Sequence, residues 1–311
     1  MQITSNIVGL LRCPKYDRGM IAEQLATMAA ALSFRVPSGS RVLLKPNLVS
    51  GRGHDGLACT HPEFVAAAAQ WCVDCGATVS IGDSPAFGRA QAVMVQCGIA
   101  ERVKDLPVKL VHFKTGLPVQ LACGEKVVIA AESLDCDLLI NLPRFKAHSQ
   151  TLVTLAVKNY FGTVKGFGKA RLHQKLGKDE NSFCRMLVDL LAVLPSGVSF
   201  MDGIEAMHQS GPMDGVAFPL GIVAGSVNPV ALDTAMLMTL GVPARASMVW
   251  RETARRKYAG AAEKDLVFPL LHPGDVRPSG FLLPAALKQI PFHPRQVVTS
   301  LVRRLRLLLH S

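Results

Sequence analysis

Much of the functional information in this sequence lies in what it lacks. No apolar run approaches the length of a bilayer span, and residues 1–20 have neither a long apolar core nor a cleavage-like end. Neither a spanning helix nor a secretory leader is therefore expected, and a cytoplasmic protein is. Aromatic residues are few, 6% of the chain, which leaves little to stack bases; nucleic-acid binding is not expected. The eight cysteines are mostly scattered among apolar residues, as small buried hydrophobes are in a reducing compartment. Only Cys72 and Cys75 form a CxxC pair, and it reads as the last turn of a helix ending at Gly76 rather than as half of a metal site. No HExxH or HxxxH spacing marks zinc, and no GxGxxG follows the first strand.

Charge is plentiful but uneven. The formal net charge is +11. From Arg251 to Ser311 there are eleven Lys and Arg against four Asp and Glu, so about +7 belongs to the tail and +4 to everything before it. Within the main body one stretch carries a single sign. From Pro143 to Lys175 it holds Lys146, His148, Lys158, Lys165, Lys169, Arg171, His173 and Lys175, with no acid among them. Surfaces that serve solubility mix both signs, so a one-signed, glycine-interleaved stretch points to an anion.

The remaining pattern predicts the fold. Short apolar strands are expected at Arg41–Pro46, Ala77–Gly82, Val108–Phe113, Asp137–Asn141, Val198–Met201 and Leu220–Gly225, with a hairpin over Val119–Ile129. They alternate with helices: Thr60 to Cys75 behind a Thr-x-x-Glu capping pattern, about Arg89 to Gln96, and one opened by Asn228-Pro229. This alternation predicts an α/β fold with a mainly parallel sheet and helices on both faces. An α/β domain over residues 1–245 is expected, as one unit or two interleaved lobes. A looser, mostly helical, proline-rich and basic extension over 246–311 should follow it, ending in an amphipathic helix over Gln296–Leu309. That helix can pack on its own domain or touch a membrane surface; self-packing is the preferred reading.

Ligands in such folds gather beyond the carboxyl ends of the strands, where Lys45, Asn47, Asp83, Ser84 and the segment after Asn141 fall. Gln150–Gly162 is expected to be a helix, with Thr151, Thr154 and Lys158 on one stripe. Lys146, His148, Lys158 and His173 are the candidates for catalysis, the two histidines for proton transfer and the lysines for charge neutralisation. Lys45, Asn47, Thr151, Asn159, Gly162, Lys165, Gly166 and Gly168 are the candidates for holding an anion or cofactor. The loop Gly162–Ala170 is not a Walker A loop: Lys169 precedes Ala170, and the loop follows a helix. Asp83, Asp202 and Asp233 could hold a metal or form turns and caps.

Pro143-Arg-Phe-Lys-Ala-His-Ser-Gln-Thr151 with Ala156-Val-Lys-Asn-Tyr-Phe-Gly162 resembles the signature of the domain-of-unknown-function 362 family. Leu44-Lys-Pro-Asn47, Ile81-Gly-Asp-Ser84, Asp202-Gly-Ile-Glu-Ala206 with Gly211-Pro212, and Asn228-Pro-Val-Ala-Leu-Asp233 match it in order, so the resemblance covers about Val42 to Leu240. It implies a shared site at these motifs and leaves the reaction open. Many members carry a ferredoxin-like module, which implies an iron–sulfur association. This sequence has no CxxCxxCxxxCP run, so a cluster within the chain is not expected and a partner protein would have to supply one. The arrangement is also distantly similar to the lactate racemase family, whose His and Lys residues act beside a nickel-pincer nucleotide. Two functions are compatible with all this. One is an enzyme acting on an anionic small molecule by proton or hydride transfer. The other is a non-catalytic cofactor-binding or electron-transfer accessory working with an iron–sulfur partner.

Overall fold

The computed structural model describes residues 5–51, 56–86, 88–165 and 180–287, together with Lys169, Leu172 and Leu176. The chain begins with β1 (Gly9–Arg12), α1 (Arg18–Ala31) and β2 (Arg41–Pro46), then α2 (Pro62–Asp74) and β3 (Thr78–Ile81). Two short helices, α3 (Ala90–Gln96) and α4 (Ile99–Arg102), lead to β4 (Val108–Leu110) and the hairpin of β5 (Gly116–Gln120) and β6 (Lys126–Ala130). After α5 (Ala131–Leu134) come β7 (Leu138–Leu142), β8 (Arg144–His148), β9 (Leu152–Thr154) and α6 (Ala156–Asn159), which passes into a 3-10 turn at Tyr160–Thr163. The last part comprises α7 (Glu180–Asp189), β10 (Ser199–His208), β11 (Val216–Phe218), β12 (Ile222–Ser226), α8 (Pro229–Leu240) and α9 (Met248–Arg255).

The main sheet runs β1-β12-β10-β7-β2-β3-β4. Its β10-β7-β2-β3-β4 portion is parallel, while β12 and β1 close one side antiparallel. Parallel strands must be covered on both faces, and β2 shows how. Val42 and Leu44 belong to the core formed with α1 and α2, whereas Leu43 lies on the opposite face with Leu139 and Tyr160. Alternate side chains of one apolar strand thus feed two cores.

Two predicted boundaries change. The helix expected from Thr60 is capped one residue later, at His61, whose side chain accepts from the Glu63 amide; the Thr60 hydroxyl is committed elsewhere, to the Leu142 carbonyl at 2.6 Å. The helix expected over Gln150–Gly162 is the larger correction. Its first half is strand β9, which returns antiparallel on β8 with His148 opposite Leu152 and Lys146 opposite Thr154. Val153 and Thr154 are β-branched and fit a ladder better than a first helical turn. Helix begins only at Ala156, and Thr151, Thr154 and Lys158 therefore share no helical stripe.

β10 is longer than the sequence pattern suggested. It starts beside β7, with Ser199 opposite Asn141, and then runs beside β8. Asp202 faces Arg144 and Met207 faces Lys146, so β10 advances five residues where β8 advances two, and the ladder bulges between. Residues 248–287 pack onto α8 and β1: Leu266 and Val276 join its apolar core, and Val267 bridges to Ile7. The segment from residue 288 onward, with the expected amphipathic helix, lies outside the described residues.

Candidate functional site

The carboxyl ends of β2, β3 and β7 meet at a buried ion pair. Lys45, the penultimate residue of β2, is fully buried, and its Nζ lies 2.9 Å from Asp83 Oδ1 just beyond β3. The ammonium also donates to the Pro46 carbonyl at 3.1 Å, and Asp83 Oδ2 accepts the Leu48 amide at 2.9 Å. Burial lowers the Lys45 pKa, and Asp83 pulls the other way. The backbone of Gly162 passes directly over this pair. A methyl group there would run into Asp83 Oδ1 and Lys45 Nζ, and the Gly162 carbonyl accepts the Ser84 amide at 3.0 Å. Glycine is required here by close approach, not by an unusual backbone angle.

A chain of amides fixes the next layer. Asn47 donates to Asn159 at 2.6 Å, Asn159 donates to Asn141 at 2.8 Å, and Asn141 donates to Ser199 Oγ at 3.1 Å. All four are buried, so each lost partner would leave a polar group stranded away from water. Asn47 Oδ1 in turn accepts from Lys146 Nζ at 2.5 Å, and Ala58 O accepts from it at 2.7 Å. Lys146 is 1% exposed. Burial, reinforced by Lys158 and Arg144 and opposed by Cys59 and Asp83, brings its pKa down to about 7.

Two further lysines complete the cluster. Lys158 on α6 is half-buried; burial lowers it to about 8, and no hydrogen-bond acceptor or carboxylate meets its Nζ among the described residues. Lys169 donates to the Ser84 carbonyl and lies 5.6 Å from the centre of the Phe161 ring. Burial, with Lys45 and Lys158 adding to it and Asp83 opposing, brings it to about 7. Lys45, Asn47, Asp83, Lys146, Lys158, Asn159 and Gly162 are thus brought together as expected from their motifs.

The other candidates fall elsewhere. His148 Nδ1 accepts the amides of Gln150 and Thr151 at 3.1 and 3.3 Å, which shapes the β8–β9 turn and places any imidazole proton of the neutral ring on Nε2. Thr151 closes the same turn by donating to Val153 O at 3.0 Å. Leu152, buried at φ 70°, is held there in the left-handed region that a branched side chain rarely adopts. The Lys165 ammonium reaches Lys114 O beside the β5–β6 hairpin, and its amide donates to Val128 O at 2.8 Å. Gly166, Gly168 and His173 lie outside the described residues.

The three aspartates are held by three separate sets of donors. Asp83 is bound to Lys45. Asp233 accepts the Ala156 and Val157 amides at 2.7 and 3.2 Å and so caps α6 from the side; burial pushes its pKa up to about 8, and those two amides oppose the shift. Asp202 accepts from Tyr16 Oη at 2.8 Å, the His61 amide at 2.9 Å and Arg144 at 3.2 Å. Their lone pairs are directed at donors, and among the described residues no three His, Cys, Asp or Glu side chains converge to hold a metal ion. All eight cysteines are free thiols.

Sequence reasoning missed a second polar cluster. Buried Arg144 pairs with Asp202 and, at 3.4 Å, with Glu205, and its guanidinium lies 5.7 Å from the Tyr16 ring centre. Tyr16 stacks on His61 at 3.5 Å. Burial first, then Arg144, lowers the His61 pKa to about 4, with Asp202 opposing. Tyr16 and His61 are separated by 45 positions, so nothing local in the sequence joins them. Arg144 stands inside the Pro-Arg-Phe-Lys motif and could have been found as a charge inside an otherwise buried strand.

The chain can now be set beside known proteins. The family model described as "Domain of unknown function (DUF362)" matches residues 42–238. The thylakoid-associated protein sll1697 of Synechocystis sp. is 35% identical over 297 residues, covering 94% of this chain and 92% of that protein. Among solved structures, the lactate racemase apoprotein from Thermoanaerobacterium thermosaccharolyticum aligns with a TM-score of 0.43 at 12% identity, over 72% of this chain and 55% of that one. A Thermotoga maritima protein aligns with a TM-score of 0.35 at 10% identity, over 67% of this chain and 55% of its own. Superpositions this loose carry no argument about chemistry. The family match, which includes every residue of the Lys45–Asp83–Lys146–Lys158 cluster, is of a different order, and the chain belongs to the DUF362 family.

Proposed function

We propose that the lysine cluster is the binding site of an anionic small molecule and that the protein is an enzyme moving a proton on that molecule. One observation carries this reading: Lys45, Lys146 and Lys169 gather around a single carboxylate, Asp83, and Lys158 adjoins Lys146 and Lys169. Asp83 balances Lys45. What remains is an excess of about two positive charges in a poorly solvated place, an arrangement that is costly until an anion arrives. A ligand with two negative charges, a phosphate ester or a dicarboxylate, matches that excess better than a monocarboxylate does. Lys146, brought near neutrality by its surroundings and fixed by Asn47 and Ala58, is the side chain suited to giving and taking a proton at pH 7.

Thermal unfolding with a panel of small anions tests the reading. Sulfate, phosphate monoesters and dicarboxylates should raise the melting point more than acetate or chloride at equal ionic strength. Lys158→Gln should remove most of that shift while leaving the apo protein as stable as before or more so, because it deletes an uncompensated charge. If no anion on the panel stabilises the protein, the anion-site reading is wrong.

A second property is suggested by the relative named as thylakoid-associated. No helix among the described residues is long and apolar enough to cross a membrane. A peripheral contact with an anionic lipid surface through the basic residues of 288–311 fits both facts. Deleting Arg295–Ser311 should abolish co-sedimentation with phosphatidylglycerol vesicles at low salt. Unchanged co-sedimentation would remove this property and leave the anion site untouched.

A further inference from the structure

Strand β9 brings one more polar side chain to the lysine cluster. Thr154 is paired with Lys146 across the β8–β9 ladder. Directly opposed residues of two antiparallel strands project from the same face, with Cβ atoms about 5 Å apart. The two faces of this hairpin differ in character. Phe145 and Val153 enter the apolar core with α8. Arg144, Lys146 and Thr154 belong to the other, polar face, and all three are buried, Thr154 at 2% exposure.

Burial makes the state of the Thr154 hydroxyl informative. Among the described residues seven threonines are buried. Six of them, from Thr60 to Thr253, donate to a backbone carbonyl at 2.6–3.0 Å. The Thr154 hydroxyl meets no hydrogen-bond partner. A stranded buried hydroxyl is costly, and valine would fill the same place in a strand without that cost. Beside it, the charged Lys146 ammonium has three N–H donors. Asn47 Oδ1 and Ala58 O take two of them. One ammonium proton and one hydroxyl therefore stand without an acceptor, among the described residues, on the same face of the hairpin.

We propose that Thr154 is a ligand-binding residue of the lysine cluster: its hydroxyl and the remaining Lys146 proton serve two oxygens of one bound oxyanion. This inference rests on the anion-site reading above and adds a neutral donor to it. The lysines supply charge, and that supply changes with pH. A hydroxyl adds affinity without adding charge, so its contribution is the same wherever the lysines stand in their titration.

The test is calorimetric titration of the full-length protein with sulfate at about pH 6 and about pH 8, comparing wild type with Thr154→Val and Thr154→Ser. Thr154→Val keeps the shape and removes the hydroxyl. It should weaken sulfate binding about tenfold or more at both pH values. Proton uptake on binding should stay as in the wild type, and the melting point of the sulfate-free protein should be unchanged or higher. Thr154→Ser should bind sulfate as the wild type does. If the wild type binds sulfate and Thr154→Val binds it equally well, the role of Thr154 is overturned and the anion site stands. A lower melting point for sulfate-free Thr154→Val also overturns it, because the hydroxyl would then serve the fold, for example through a buried water. So does a changed proton uptake, which would assign the lost affinity to the lysines. If the wild type binds no sulfate, both readings fall.

Discussion

Binding of a dianion to the lysine cluster should draw protons from solution, by an amount that follows from three side chains. Lys146 and Lys169 titrate at about 7 and Lys158 at about 8, all lowered first by burial. A bound anion supplies the counter-charge they lack and moves them back toward the ordinary lysine value of about 10.4. At about pH 8 a group with a pKa of 7 is roughly one-tenth protonated and one with a pKa of 8 about half, so full recharging takes up roughly two protons per site. At about pH 6 all three are already charged, and uptake falls to about 0.2 proton. Affinity should therefore weaken roughly a hundredfold per pH unit near pH 8 and hardly change near pH 6. Sulfate is the suitable probe because its own charge is constant across this range. Calorimetric titrations at about pH 8 in buffers of different ionisation enthalpy give the proton count directly. Lys158→Gln should reduce it by about half a proton. Sulfate binding at that pH with no buffer-dependent heat would refute the reasoning, because the lysines would then be fully charged before the anion arrives. The free protein should show the complementary trend. Its lysine pKa values lie below those of the unfolded chain, so between about pH 7 and the ordinary lysine range the unfolded state binds more protons and stability rises with pH. Saturating sulfate should flatten that rise.

Other perturbations probe the scaffold. Gly162→Ala places a methyl group against the Lys45–Asp83 pair; denaturant titration should show a loss of about 1–3 kcal/mol, with anion binding weakened at least tenfold. Asp233→Ala strips the buried amides of Ala156 and Val157 of their acceptor and should cost about 1–3 kcal/mol for each stranded amide, read from the same titration. Asn159→Ala breaks the chain of amides between Asn47 and Asn141. Because Asn47 also holds Lys146, this variant should shift the pH profile of anion binding, whereas a purely structural residue would lower stability alone.

The parallel sheet was legible in the sequence because its strands are short apolar runs of the kind seen in β2 and β7, bounded by proline, glycine and polar residues. Lys45, Asn47 and Asp83 were legible for a related reason, since polar residues just past such strands have to face the ligand side of the sheet. The Gln150–Gly162 region was misread because apolar and polar residues there fit a helical spacing, while its actual conformation is set by partners distant in sequence. β8 takes up residues 152–154 as a strand, and Asp233, 77 positions from Ala156, decides where the helix begins. The Arg144–Asp202–Tyr16 cluster was invisible for the same reason, being made by residues 58 or more positions apart.

The bulge in β10 has a consequence for how the family can vary. Since β10 uses five residues to match two on β8, Arg144 and Lys146 are set by two separate stretches of pairing with slack between them. Toward β8 the residues between Asp202 and Met207 have no register partner, so a small shift at one pairing need not carry the other to the wrong face. The two buried cations are thus independently adjustable. Relatives can be expected to vary the side chains at this point of β10 while keeping the arginine on its aspartate and the lysine in its cluster.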